Sequence, residues 1–185
     1  MKPCEPGLVK FFIGILYHES QSLESAVRFI EDLFAKIDYK SSEFEFSLTD
    51  YYREELGWPI FRKFVSLTKL IDPGTLPALK ISTNKVEDNL RKNGKRTVNL
   101  DPGYMDYAKV VLASAKYNGQ KIYLAQGIYA DPTLWYEKGT YKPYPFSFPD
   151  FKSNIYNETF LHIRALYKGQ ARKLNRSRNA RKQNG

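Results

Sequence analysis

Val9-Lys10-Phe11-Phe12-Ile13-Gly14-Ile15-Leu16-Tyr17 is a near-continuous apolar run of β-branched and aromatic residues that carries one charge, Lys10. It lacks the alternation of a half-exposed strand, so it predicts a strand buried on both faces at the centre of a sheet. Downstream of His18-Glu19-Ser20, apolar residues recur at Leu23, Ala26, Val27, Ile30, Leu33, Phe34 and Ile37. That spacing lines one face of a helix, which Ser20 or Ser22 can cap.

Phe44, Phe46 and Leu48 alternate with Glu43, Glu45 and Ser47, as in a strand with one wet face, and Ile60 to Leu67 reads as the next strand. Asp72-Pro73-Gly74 breaks the chain. Pro77 suits the first turn of a second helix ending at Asn93-Gly94, with Leu79, Val86 and Leu90 facing inward. Thr97 to Leu100 is then a short strand that runs into an Asp101-Pro102-Gly103 turn. Tyr104 to Lys116 fits helical spacing, although Val110-Val111-Leu112 equally fits a strand. Turn signals at Asn118-Gly119 and Glu137-Lys138-Gly139 separate strands over Lys121 to Tyr129, Thr133 to Tyr136 and Thr140 to Tyr144. Phe146 to Phe151 reads as an extended aromatic segment, and Ile155 to Lys173 as a last helix. The fold class expected is α+β: a largely antiparallel sheet with helices packed on one face, a ferredoxin-like βαββαβ start, and a C-terminal β-meander and helix.

The 185 residues and 42% hydrophobic content fit one domain, taken as 1–173, followed by a disordered basic tail over 174–185. The net charge of +9 belongs to that end of the chain. From Arg164 onward there are eight basic residues and no acid, which leaves 21 basic against 20 acidic residues in 1–163. Residues 164–182 could therefore neutralise the phosphates of a nucleic acid, or simply keep the chain soluble. Cys4 is the single cysteine and His18 and His162 are the two histidines, so no disulfide framework and no zinc site is expected within one chain. The longest apolar run is too short to cross a bilayer and no cleavage site follows it, which points to a cytoplasmic protein without a membrane partner.

P-loop, NAD-binding Gly-x-Gly-x-x-Gly and Gly-x-Ser-x-Gly motifs are absent, which removes their phosphate cradles and strained nucleophile turn. An oxygen-ligated Mg²⁺ site stays open. Candidate chemistry lies in Thr49-Asp50-Tyr51-Tyr52 and Asn99-Leu100-Asp101-Pro102-Gly103-Tyr104, each read as a strand end bearing a carboxylate beside hydroxyl or amide groups. Asp50, Asp101 and His18 are the candidate acid–base groups. Tyr51, Tyr52, Asn99, Tyr104, Lys95 and Arg96 would contact an anionic small molecule. The bland alternatives are a capped turn for each Asp and core packing for the tyrosines.

Lys10 to Tyr17, Phe46 to Tyr52, Leu70-Ile71-Asp72, Lys95 to Tyr104 and Gly127-Ile128-Tyr129-Ala130, in this order, resemble the domain of unknown function 4416, DUF4416. The resemblance implies a stand-alone prokaryotic domain over about residues 8–170 and carries no mechanism. The leading expectation is a small-molecule or nucleotide-type ligand site where the two loops meet, with acid–base or Mg²⁺-assisted catalysis open to it. The alternative is an RNA or polyanion binder that uses the basic tail and the aromatics Tyr136, Tyr141, Tyr144, Phe146 and Phe148.

Overall fold

A computed structural model of the protein describes residues 2–47 and 52–183, with side chains described through Ser177. Strand β1 (Val9–Tyr17) is buried along its whole length. It leads through helix α1 (Ser20–Leu33) to two short edge strands, β2 (Ile37–Lys40) and β3 (Phe44–Glu45). Ile37 opens β2 instead of ending the helix, and Glu19 takes the capping position expected of Ser20 or Ser22. One turn of helix, α2 (Arg53–Leu56), precedes β4 (Phe61–Ile71), and α3 (Leu76–Asn89) leads to β5 (Val98–Met105). The sheet continues with β6 (Lys109–Ser114), β7 (Ile122–Ala125), β8 (Ile128–Glu137) and β9 (Thr140–Pro143), and the chain closes with α4 (Pro149–Lys152) and α5 (Asn157–Gln183).

The nine strands form one sheet in the order β2-β4-β1-β5-β6-β8-β7, with β3 beside β4 and β9 beside β8. Every pairing is antiparallel. The segment β2-β4-β1-β5, with α1 and α3 as its crossovers, is the ferredoxin-like order expected from the sequence. Residues Phe11, Ile13, Ile15 and Tyr17 of β1 meet Ala26 and Ile30 of α1 and Val86 of α3. The alternate residue Phe12 meets Phe64, Phe151, Tyr156, Phe160 and Ile163 on the other side. Helices thus cover both faces, which corrects the expectation of a single helical face. The cause is β1 itself, because a strand apolar on both sides needs two covers, each fully buried Phe or Ile contributing about 1.5–3 kcal/mol.

Three other expectations give way. Asp101-Pro102-Gly103 is not a turn: all three lie inside β5, paired with Gly14, Ile13 and Phe12. Leu100 directs its N–H and C=O away from β1, to Glu87 and Lys80 on α3. Two residues on, Pro102 faces the same way, just before pairing with β6 begins at Gly103, so its missing N–H removes no ladder bond. Tyr104 to Lys116 is likewise a hairpin and not a helix, closed by Asp106 Oδ1 accepting from the N–H groups of Ala108 and Lys109 at 2.8 Å. Helix α5 continues to Gln183, through most of the stretch expected to be a disordered tail. That stretch contains no Pro or Gly up to Gln183, and its three Arg, with Leu174, Ala180, Lys182 and Gln183, are good helix formers.

Lys10 is fully buried on the α5 side, where its ammonium pairs with Asp38 and donates to Leu67 O at 2.6 Å and Gln170 Oε1 at 3.0 Å. Burial lowers its pKa despite the Asp38 carboxylate. All its donors are spent, two on neighbouring strands and one, to Gln170, on tying α5 to the sheet. Gly103 serves the same face by its absence of bulk: a Cβ there would lie 2.7 Å from the Phe12 ring and 2.7 Å from the backbone oxygen of Val111. Gly103→Ala is expected to destabilise the protein by about 1–3 kcal/mol, measurable as a lower urea midpoint at unchanged m-value. An unshifted midpoint would mean that β5 and β6 are not this close.

Candidate functional site

Alternation along β5 sends Val98 and Leu100 into the core beneath α1 and α3, and Asn99 and Asp101 to the opposite side. Along β4, Arg62 shares the side of Phe64. Leu16 is the register partner of both Arg62 and Asn99, so the three form one cross-strand row whose outer Cα atoms lie about 10 Å apart. The next row is Phe64, Gly14 and Asp101. Gly14 leaves that row open at its middle, where a Cβ would come within 3.2 Å of the Phe64 ring.

Arg62 is 5% exposed, and its guanidinium lies 4.9 Å over the ring of Phe46, with Phe64, Phe151 and Tyr156 around it. Its Nη1 pairs with Asp150 at 3.0 Å, and Tyr156 donates to the same carboxylate oxygen at 3.0 Å. Burial opposes the charge, but the Asp150 carboxylate, with Asp101 behind it, holds the Arg62 pKa above its ordinary value. Burial pushes the Tyr156 phenol up, so it stays a donor at neutral pH.

The open side of the β5 edge is closed by charges. Glu87 accepts from Leu100 N–H at 2.7 Å, and Lys80 donates to Leu100 O at 2.7 Å. Arg96 forks onto Glu55 at 2.6 and 2.5 Å, and its Nη1 reaches Glu87 at 2.9 Å and Asn99 Oδ1 at 3.0 Å. The bond from Arg96 depresses the Glu55 pKa, and burial raises that of Glu87 in spite of Lys80 and Arg96. Asp101 is held differently. It approaches Arg62 Nη2 only to 3.7 Å and Lys80 Nζ only to 3.9 Å, and its side chain keeps 22% exposure. Two donors in this neighbourhood, Arg62 Nε and Asn99 Nδ2, are buried without a partner among the described residues.

A family model, Domain of unknown function (DUF4416), matches residues 7–167. The chain belongs to the DUF4416 family. No curated protein and no solved structure matched it. The family match spans every described strand and the first part of α5, to Tyr167, and stops short of Gln170 and of the basic end of that helix.

Of the residues singled out from the sequence, this DUF4416 domain brings together Asn99, Asp101 and Arg96. Tyr52 packs edge-on against Phe46, beside Arg62. Tyr104 lies on the other face of β5, against the α3-side cluster, so it does not join Asp101. Lys95 points outward and donates to Glu54 O at 3.2 Å. His18 turns its Nδ1 to Pro59 O at 2.7 Å; a carbonyl only accepts, so Nδ1 is the donor. Asp50 and Tyr51 lie outside the described residues. Among the described residues no group of His, Cys, Asp and Glu could hold a metal ion.

Arg62, Lys80, Glu87, Asp150 and Tyr156 escaped the sequence reading. The signal existed: Arg62 occupies the inward register of Ile60, Phe64 and Ser66, and Lys80, Thr83 and Glu87 share one helical stripe. A cavity of about 420 Å³ opens elsewhere on this face, between Tyr39, Ser42, Phe44, Glu158 and His162. Ser42, Glu158 and His162 all reach solvent there, and His162 is stacked on Tyr39 at 4.2 Å, so no buried group is left seeking a partner. The Arg62–Asn99–Asp101 surface has such groups and is the stronger candidate.

Glu87 gives this surface a pH signature. Its raised pKa means that the native state holds the proton more tightly than the unfolded chain, so its contribution to stability falls as pH rises from about 4.3 through the folded value. Glu87→Gln keeps an oxygen for Leu100 N–H and should flatten that decline. Urea midpoints of both proteins between about pH 4 and 7 check this, and parallel profiles would show that Glu87 titrates normally.

Proposed function

We propose that this DUF4416 domain binds a small anionic molecule, of nucleotide size or smaller, on the surface formed by Arg62, Asn99 and Asp101. The observation that carries this reading is the pair of buried donors without partners among the described residues, Arg62 Nε and Asn99 Nδ2, on either side of Leu16. Leaving a buried donor unsatisfied costs about 1–3 kcal/mol, and a phosphate or carboxylate oxygen would remove that cost. Phe46 and Tyr52 pack in one cluster with Leu16, Leu56 and Ile60, which gives the site an apolar wall beside Arg62.

Asp101 is the acid–base group of the site. Its neighbours Asp150, Glu55 and Glu87 are each committed to a hydrogen bond, whereas Asp101 meets its cations only at longer range and reaches solvent. A carboxylate placed so can exchange a proton with a bound substrate. A cytoplasmic location belongs to the same proposal. Its support is the single, exposed Cys4 and the lack, among the described residues, of any helix long and apolar enough to cross a membrane.

Thermal-shift and calorimetric titrations with nucleoside monophosphates, inorganic phosphate and small dicarboxylates test the reading. At least one of these probes should raise the melting temperature of the wild type. Asn99→Ala should weaken its binding about tenfold or more, as expected for losing a hydrogen bond to a charged acceptor. Asp101→Asn should keep the binding and abolish any turnover. Binding that neither substitution alters would place the ligand elsewhere.

A further inference from the structure

We propose a second site, independent of the first: the C-terminal half of α5, together with Tyr107, binds single-stranded RNA. It lies at the far end of β1. Arg62 and Asn99 stand beside Leu16, whereas α5 is tied down near the start of the strand by Tyr167 donating to Leu8 O at 3.0 Å and by Gln170 on Lys10. Past Ala171 the described residues of the helix are exposed or half-exposed on every side and make no part of the core.

Arg164, Lys168, Arg172 and Arg176 follow one another at a spacing of four residues, so they form a continuous stripe with a cation about every 6 Å. Lys173 lies beside it, and no acid occurs in the sequence from Arg164 to the end. Like charges at this spacing each destabilise a helix by about 0.2–0.5 kcal/mol, and past Glu158 in its first turn this helix has no opposite charge to offset them. A polyanion laid along the stripe supplies what is missing. Charge complementarity therefore selects a phosphate backbone over a neutral protein surface. An anionic membrane fits less well: beyond Leu174 the only apolar residue is Ala180, too little to enter a lipid interface.

Tyr107 identifies the strand as unpaired. It sits at the tip of the β5–β6 hairpin with its ring 4.9 Å from Tyr167 and its carbonyl accepting from Arg164 at 3.1 Å, yet it stays 47% exposed. An exposed tyrosine beside a basic stripe offers a stacking face for a base, and unpaired bases in the cell belong chiefly to RNA. Of the aromatics favoured by sequence, Tyr141 is buried and Tyr136 is covered by the Arg164 guanidinium at 3.6 Å, whereas Phe146 and Phe148 are exposed but belong to the segment after β9.

Fluorescence anisotropy of a labelled oligouridylate with the full chain, measured across a salt series, tests the assignment. The wild type should bind, with affinity falling steeply as salt rises. R172Q/K173Q/R176Q, three changes on exposed positions, should bind more weakly and lower the salt slope by about 2. Tyr107→Ala should cost on the order of tenfold in affinity and leave the slope unchanged. Unaltered thermal unfolding of each variant separates these losses from misfolding. No binding at low salt, an unaffected slope in the triple variant, or full affinity in Tyr107→Ala would overturn the proposal. So would preference for duplex RNA or for phosphatidylserine vesicles. None of these outcomes bears on Asn99 or Asp101, so the two sites stand or fall separately.

Discussion

A strand with no wet side imposes the architecture. All nine residues of β1 are buried, with β4 and β5 hydrogen-bonded along its two edges, so only its upper and lower faces remain to be covered. The crossover helices α1 and α3 take one face because a right-handed βαβ connection places them there. The other face, centred on Phe12, is left for a part of the chain not yet reached when β5 is complete. That division also determines where charge can enter. Lys10 is carried into the second layer at one end of β1, and at the other end Arg62, Asn99 and Asp101 surround Leu16.

The two ends solve the problem of buried charge differently. At Lys10 the ammonium has three partners, and the low-dielectric surroundings that depress its pKa also strengthen those bonds. Around Arg62 the accounting is incomplete: one carboxylate is bonded tightly, a second stands off, and two donors are left over. Unmatched buried donors weaken a domain that gains nothing from them, since each costs more than an average hydrogen bond returns. Their location beside a partly exposed carboxylate distinguishes this end from a core whose polar groups are merely structural. The fold itself does not make that distinction, because ferredoxin-like sheets host many unrelated activities.

Much of the architecture was legible in the sequence because the apolar pattern and the topology agree: the continuous run of β1, the helical period of α1 and the order β-α-β-β-α-β all lead to the β2-β4-β1-β5 sheet. Asp101-Pro102-Gly103 was misread because turn chemistry is local whereas strand pairing is not. With β1 already fixed alongside, the segment gains more by pairing than by turning, and the missing N–H of Pro102 falls on an unpaired edge. The site was half legible for the same reason. Asn99 and Asp101 share a face by simple alternation, but Arg62, Lys80 and Asp150 come from three distant segments, and only tertiary packing converges them.

Lys10 and Gln170 are 160 residues apart in the chain. During synthesis β1 emerges well before α5, so the Phe12 side of the sheet must wait for its cover. At translation rates of about 5–20 residues per second, that interval is on the order of ten seconds. As it passes, the nascent chain comes to present Phe12, then Phe64 and Leu134, side chains that end fully or almost fully buried, together with an ammonium short of its α5 partner. A ribosome-bound intermediate of this kind is a natural client for a holding chaperone, and a transcript cut short before α5 would yield a polypeptide that aggregates instead of a smaller folded domain.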